Sequence, residues 1–155
     1  MVDRRLVRQL LRTALHQVAA VHRPVAERWA YENRVFVPPA PTSDDPHAIW
    51  ISETLLIADE SAVATGTTMM EGIYQLNCHA AKDRGTERLD DLVTALGAAL
   101  PAKTAIRDEN LTHQISVYRV QAKQGRDGED AGTTVGTAWW MVPIEYWFRT
   151  YAPDP

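Results

Sequence analysis

Residues 29–51 read WAYENRVFVPPAPTSDDPHAIWI, and this stretch marks the passage from helical to extended chain. Pro38 excludes the α conformation for the residue before it, which predicts an extended segment over 29–37. Four prolines and several small polar residues then predict an exposed loop over 38–47. The Ile, Trp, Thr and Leu content of Ile49–Ile57 predicts the first long strand.

Upstream of this stretch, residues 3–22 have the apolar spacing of an amphipathic helix. Asp3 is placed to cap its N-terminus, and Pro24 is placed to end it. The side opposite the apolar stripe carries Arg4, Arg8 and Arg12. That row is either a solvated face or a docking stripe for an acidic partner, and the sequence leaves both interpretations open.

The chain after the first strand alternates between turn and strand signals. Threonines and a glycine predict a polar turn region over Asp59–Met70, with room for a second hairpin strand around 62–70. Gly72–His79 is a clearer strand with a period of two. Its apolar side carries Tyr74, Leu76 and Cys78. We therefore expect the single cysteine to be a small core residue.

A second helix is predicted over 87–100 by its leucine spacing. Thr86 is expected to cap this helix, and Pro101 ends it. A strand over 111–120 follows, and the Gly- and charge-rich residues 121–134 predict a long hairpin loop.

The last segment, Trp139–Tyr151, gives the strongest strand signal in the chain. One set of alternating residues is Trp140, Val142, Ile144, Tyr146 and Phe148, and the opposite set is Trp139, Met141, Glu145, Trp147 and Arg149. Because proline lacks an amide donor, Pro143 is expected at an edge or a bulge of the sheet.

The order of these elements predicts an α+β fold in a single domain spanning residues 1–155. We expect a mixed, mainly antiparallel β-sheet with two α-helices packed on one face. The second face would carry Trp139, Met141 and Trp147, and apolar bulk of this kind needs a cover. Either a partner subunit or the chain's own 29–47 segment could provide it.

Composition and motif spacing indicate neither an enzyme nor a cofactor site. The net charge of −4 gives no overall attraction to nucleic acid or anionic lipid. One cysteine excludes an intramolecular disulfide, and no apolar run is long enough for a signal peptide or a membrane span. The histidines are not spaced for zinc, and no glycine-rich phosphate loop or nucleophile elbow is present. These features predict a soluble, cytosolic protein without a recognisable active site.

The segment AYENRVFVPP (30–39), followed by WI (50–51), resembles the tail terminator-like family of small phage proteins. GIYQL (72–76) fits the family's next strand. The Trp, Val-Pro and Trp-x-Arg pattern at 140–149 is similar to its last strand. The resemblance covers roughly residues 28–150. The charged loop described above is longer than the family pattern, so the resemblance assigns it no role.

The resemblance implies a structural function without catalysis. Tail terminators cap the growing end of a phage or prophage tail tube as a ring, commonly of six subunits, which stops further addition of tube protein. The implied partners are other copies of the chain, the tail tube protein and a head-completion or neck protein. The implied location is the virion, at the head–tail joint, after assembly in the host bacterial cytoplasm. No cofactor, nucleic acid contact or membrane is implied.

A ring requires a heterologous contact, in which one surface of a subunit meets a different surface of its neighbour. The candidate interface residues are Trp139, Trp147 and Arg149 on the last strand and Arg4, Arg8 and Arg12 on the first helix. Three alternatives stay open. They are a neck or head-completion protein of the same assembly, a small-molecule-binding or enzymatic α+β domain, and a single-strand nucleic-acid binder.

Overall fold

A computed structural model gives the structure of the chain and describes residues 2–22, 28–110, 113–127 and 139–153. Within these residues the chain forms two helices and seven strands. Their bounds are α1 Arg4–His22, β1 Trp29–Ala30, β2 Trp50–Ala64, β3 Thr67–Ala81, α2 Glu87–Ala99, β4 Thr104–Arg107, β5 Gln114–Ala122, β6 Arg126–Asp127 and β7 Trp139–Pro153.

The strands form one mixed sheet in the order β1-β2-β3-β7-β5-β4, with β6 beside β7. β1 pairs with β2 in parallel, and the other pairings in the described part of the chain are antiparallel. The predicted α+β class with a mainly antiparallel sheet is therefore confirmed.

Both helices pack on the same face of the sheet, as predicted. Their buried side chains and the inward side chains of β3 and β7 form one core cluster. Its members include Val7, Leu11, Leu15, Leu89, Leu92, Leu96, Tyr74, Leu76, Cys78, Ile144, Tyr146 and Phe148. The Tyr146 hydroxyl also donates to the Leu96 carbonyl oxygen at 2.6 Å, which fixes α2 on β7. Burial raises the pKa of the Cys78 thiol to about 12, as expected for a core cysteine.

The two helix N-termini differ in how they are capped. The Asp3 carboxylate accepts from the backbone amides of Arg5 and Leu6 at 2.9 and 3.1 Å, which confirms the predicted cap of α1. Thr86 precedes α2, but its hydroxyl makes no capping hydrogen bond. The carboxylates in the first turn of α2 favour that positive end of the helix instead. Pro24, predicted to end α1, lies outside the described residues.

The β2–β3 hairpin is longer than the sequence predicts. Asp59–Met70 was expected to be mostly turn, yet β2 continues to Ala64 and β3 begins at Thr67. Ala64 pairs with Thr67, so the turn between the two strands consists of residues 65 and 66. Gly66 has a φ of 77°, a backbone conformation that glycine adopts more readily than other residues. The threonines lie in paired strand, where β-branched side chains pack well.

Pro143 lies inside β7, a central strand, so the expectation of an edge or bulge is wrong. Its carbonyl oxygen accepts from the Lys123 amide at 2.8 Å, so its nitrogen also points toward the β5 side. β5 ends at Ala122. The missing donor of Pro143 therefore falls just beyond the end of the neighbouring strand and interrupts no ladder pairing between β5 and β7.

Two segments differ in local structure from the prediction. The extended chain expected over 29–37 forms strand only at β1, because the backbone turns at Asn33, whose φ is 60°. The loop expected over 121–134 contains the end of β5 and the short strand β6, which pairs with β7. Residues 128–134 of that predicted loop lie outside the described residues, as do residues 111 and 112 of the predicted strand 111–120. The short edge strand β4 was not predicted.

Candidate functional site

Among the described residues, the sheet face away from the helices is covered by the chain itself at one end only. Residues 31–48, which we call the arm, fold over the end that holds Trp50, His79 and Trp139. Phe36 of the arm packs on Trp50 with ring centroids 5.0 Å apart, and Trp50 packs edge-on against Trp139 at 5.7 Å. Trp50 is 0% exposed and Trp139 is 2% exposed. The chain's own arm is thus the cover at this end.

Hydrogen bonds and an ion pair hold the C-terminal half of the arm. Arg28, just before β1, forms a buried ion pair with Asp45. Asp45 also accepts from the Ala48 amide at 3.3 Å, and the His47 carbonyl oxygen accepts from the Ala81 amide at 2.8 Å. Ala48 has a φ of 46°, a left-handed conformation that L residues adopt at a cost of about 1–2 kcal/mol. These contacts keep the arm on the sheet in spite of that strain.

His79 is buried in this covered end. Its ring stacks on Trp50 with centroids 3.7 Å apart and planes 3° apart, and its Nε2 lies 3.2 Å from the Ser52 hydroxyl oxygen. Its Nδ1 has no hydrogen-bond partner within the described part of the chain. Burial lowers the pKa of His79 to about 3, because the surroundings give no compensation for a positive charge.

We expect the free energy of unfolding to fall between about pH 6.5 and pH 5 because of His79. In that range the unfolded chain binds a proton at this residue and the folded chain does not, so stability is present above the unfolded pKa of about 6.5 and is lost as the pH falls. The loss is about 1 kcal/mol from pH 6 to pH 5. Urea unfolding at several pH values measures it. His79→Gln should flatten the slope in this range, and an equal slope in both proteins would contradict the assignment to His79.

The other end of the same face carries a cluster of aromatic and charged side chains that the arm does not cover. It consists of Glu71, Tyr118, Arg119, Trp147 and Arg149, and we call it the aromatic–arginine patch. Arg149 Nε lies 2.6 Å from Glu71 Oε1. The Arg149 guanidinium lies 5.0 Å from the ring centroid of Tyr118, and that of Arg119 lies 5.2 Å from the ring of Trp147. Each arginine therefore stacks on an aromatic ring.

A bulge in β5 brings Tyr118 and Arg119 to the same face. The register with β7 shifts between Val117 and Arg119, so Tyr118 is the extra residue. Its hydroxyl donates to Glu71 Oε1 at 3.4 Å, and burial together with the Glu71 carboxylate raises the pKa of Tyr118. Tyr118 is nevertheless 41% exposed. The bulge therefore presents a tyrosine and an arginine side by side at the surface.

Trp147 links the patch to a neighbouring ion pair. Its indole N–H donates to Glu145 Oε2 at 3.2 Å, and Glu145 Oε1 lies 2.9 Å from Lys123 Nζ. A shallow pocket of about 320 Å³ lies beside this pair and is lined mainly by polar side chains. Among the described residues, no group of three or more His, Cys, Asp or Glu side chains is arranged to hold a metal ion.

The structure separates the predicted interface residues into three places. Trp147 and Arg149 lie in the aromatic–arginine patch. Trp139 shares their strand and face, but the arm buries it against Trp50, so it offers no exposed surface in this structure and its place at an interface stays a prediction. Sequence reasoning missed Glu71, Tyr118 and Arg119. The β-bulge hid the last two, because strict alternation places them on opposite faces.

The predicted arginine row of α1 faces acidic residues of the same chain. Arg4 pairs with Glu60 at 3.3 Å, Arg8 pairs with Glu32 at 2.6 Å, and Arg12 pairs with Glu53. The exposed fractions of the three arginine side chains are 62%, 32% and 28%. Each arginine of the row thus has a carboxylate partner in the same chain, and Arg4 is the most exposed of the three. The row joins α1 to β2 and to the start of the arm.

Comparison with known proteins identifies the fold and no function. No family model and no curated protein matches the chain. A solved structure with 19% sequence identity superposes with a TM-score of 0.64, over 100% of this chain and 98% of the other. Its designation states no activity or partner. Within the described residues, neither helix is long and apolar enough to cross a membrane.

Proposed function

We propose that this protein is a phage tail terminator, which closes the end of the tail tube as a ring and presents the surface that joins the head-completion proteins. The resemblance of residues 30–39, 50–51, 72–76 and 140–149 to the tail terminator-like family supports this role. The observation that carries the proposal is the uncovered aromatic–arginine patch. The open face of an antiparallel sheet is commonly polar. This one also presents two aromatic side chains, a tryptophan and a tyrosine, each with an arginine over its ring.

The chemistry of the patch suits a protein contact. Trp, Tyr and Arg are the residue types enriched where truncation weakens protein interfaces most. The stacking of Arg119 on Trp147 and of Arg149 on Tyr118 holds these side chains in place before a partner arrives, which lowers the entropy lost on association. In a ring of standard contacts, each subunit would bury on the order of 800 Å² per interface.

The proposed partners are further copies of the chain, most simply in a six-membered ring, the tail tube protein and a head-completion or neck protein. The proposed location is the virion, at the head–tail joint, with assembly in the bacterial cytoplasm. The arm offers a second contact surface, because Val35 and Val37 are 99% and 80% exposed on either side of the anchored Phe36. Three prolines stiffen the segment that follows, which limits the entropy that the arm would lose on binding.

Tube length tests this function. The tube protein of the same phage is polymerised with and without the protein, and tube lengths and ends are measured by electron microscopy. We expect shorter tubes with a ring at one end. Trp147→Ala combined with Arg149→Ala should restore long, open tubes. Asp127→Asn, in an exposed ion pair outside the patch, should cap like the wild type.

Unchanged tube lengths and bare tube ends at saturating protein would overturn the terminator function. Binding to the neck protein under those conditions would favour the neighbouring position at the head–tail joint.

A further inference from the structure

The bulge of β5 presents two exposed side chains, Tyr118 and Arg119, on the face opposite the helices, and we call this pair the projection. Tyr118 is braced from two sides by the Glu71 carboxylate and the Arg149 guanidinium. Arg119 is held over Trp147, and its guanidinium donates to the Gln121 side-chain oxygen at 2.7 Å. Arg119 has no carboxylate partner within the described part of the chain. The projection thus combines an exposed ring with an arginine charge that is not neutralised.

A groove of complementary chemistry lies on the helix side of the molecule. It runs between α1 and the segment that follows β4, and its volume is about 570 Å³. Its lining includes Leu6, Leu10, Ala14, Ile106, Asp108 and Glu109. Asp108 is buried and accepts from the His113 amide at 2.7 Å, whereas Glu109 is exposed and forms no ion pair with any described residue. The groove therefore combines apolar side chains with the polar Gln9, Thr13 and Asn110, and its Glu109 carboxylate is not paired with a cation of the described residues.

We propose that two copies of this chain join by placing the Tyr118–Arg119 projection of one copy in the α1 groove of the next, with Arg119 against Glu109. The inference rests on the proposed ring and names the surfaces that build it. The tyrosine ring would meet Leu10 and Ile106, and the arginine would meet the carboxylate that lacks a partner. Because the two surfaces lie on opposite sides of the sheet, the contact is heterologous, as a ring requires.

Charge argues against the alternative in which two projections meet face to face. The patch holds Arg119 and Arg149 against a single carboxylate, Glu71, so a symmetric pairing would bring like charges together. Placing Arg119 beside Glu109 brings opposite charges together instead. Such pairs at the rim of an interface contribute mainly to the choice of partner and to its orientation.

Charge reversal in the full-length protein tests the pairing. Arg119→Glu and Glu109→Arg are prepared separately, and ring formation is measured by native mass spectrometry and on tube ends. Each variant alone should associate at least about tenfold more weakly, because every contact then joins like charges. An equimolar mixture should recover rings in which the two variants alternate, since each contact again joins opposite charges. A ring of six subunits permits this alternation.

The controls separate a contact effect from a folding effect. Both substituted side chains are at the surface, so each variant should keep the circular dichroism spectrum and urea midpoint of the wild type. Arg84→Glu, at an exposed arginine in the turn before α2, should form rings alone as the wild type does.

The outcomes distinguish the contact from the function. Wild-type rings and shortened tubes without recovery in the mixture would overturn this contact and leave the terminator function standing. Recovery in the mixture without shortened tubes would support the contact and overturn the function. If the single variants associate as the wild type does, or if the wild type does not associate even on tubes, the inferred contact is wrong.

Discussion

Replacing Glu53 with glutamine is expected to lower the free energy of unfolding by about 3 kcal/mol. The Glu53 side chain is 0% exposed and accepts hydrogen bonds from three elements of the fold. Arg12 of α1 binds both carboxylate oxygens, with Nε at 2.9 Å from Oε2. The Trp29 indole N–H of β1 donates at 2.9 Å, and the Tyr74 hydroxyl of β3 also donates.

The hydrogen-bond donors around Glu53 stabilise the ionised form of its carboxylate. Burial alone would raise the pKa of Glu53, but hydrogen bonds from Arg12, Tyr74 and Trp29 outweigh burial and keep the pKa below its usual range. In the glutamine variant an amide NH₂ would face a donor of Arg12, and the arginine would lose its partner. Arg12 is 28% exposed, so water relieves part of this loss, and the effect should lie at the lower end of the usual 3–5 kcal/mol.

Urea unfolding at neutral pH measures the difference. The control is Asp127→Asn, because the Lys82–Asp127 pair is largely exposed and should contribute little to the free energy of unfolding. The advantage of the wild type over Glu53→Gln is present above the unfolded carboxyl pKa and should shrink as the pH falls through the lower folded pKa. A loss below 1 kcal/mol at neutral pH, or a difference that persists in acid, would contradict the ionised buried carboxylate.

The periodicity of the sequence predicted the helices and strands of this fold better than the contacts between them. The apolar spacing of α1, the cap at Asp3 and the alternation in β7 are local signals, and the structure confirms them. Glu53 was read only as a strand residue, although it is the centre of the hydrogen bonds between α1, β1 and β3. Its partner Arg12 is 41 residues away in sequence, and a pattern of neighbouring residues does not indicate a contact over that distance along the chain.

The candidate site was predictable only in part for the same reason. Alternation places Trp139 and Trp147 on one face, and this is where the structure has them. Alternation does not say where the arm lies, so it cannot separate the buried Trp139 from the half-exposed Trp147. The bulge adds one residue to β5 and moves Tyr118 to the face of the patch. A single inserted residue is invisible to a period-two pattern unless the pairing register is known.

Replacing Trp50 with alanine is expected to lower the free energy of unfolding by about 3–5 kcal/mol and to release the arm. Trp50 is fully buried, and its ring contacts His79, Phe36 and Trp139. Its removal would leave a cavity between the arm and the sheet and would take away the surface on which Phe36 rests. Chymotrypsin should then cleave after Phe36 much faster than in the wild type, while urea unfolding reports the loss of stability.

Two matched variants show whether the loss comes from this position. Trp147→Ala removes the same side chain from the uncovered end of the same face, where it is half-exposed, and should cost less than about 2 kcal/mol without faster cleavage at Phe36. Trp50→Phe keeps a ring under the arm and removes an indole N–H that has no acceptor within the described residues. Because a buried donor without an acceptor is itself destabilising, this variant should lose much less than alanine does. Equal losses in Trp50→Phe and Trp50→Ala, or protection of Phe36 in both, would mean that the arm does not depend on the Trp50 ring for its position.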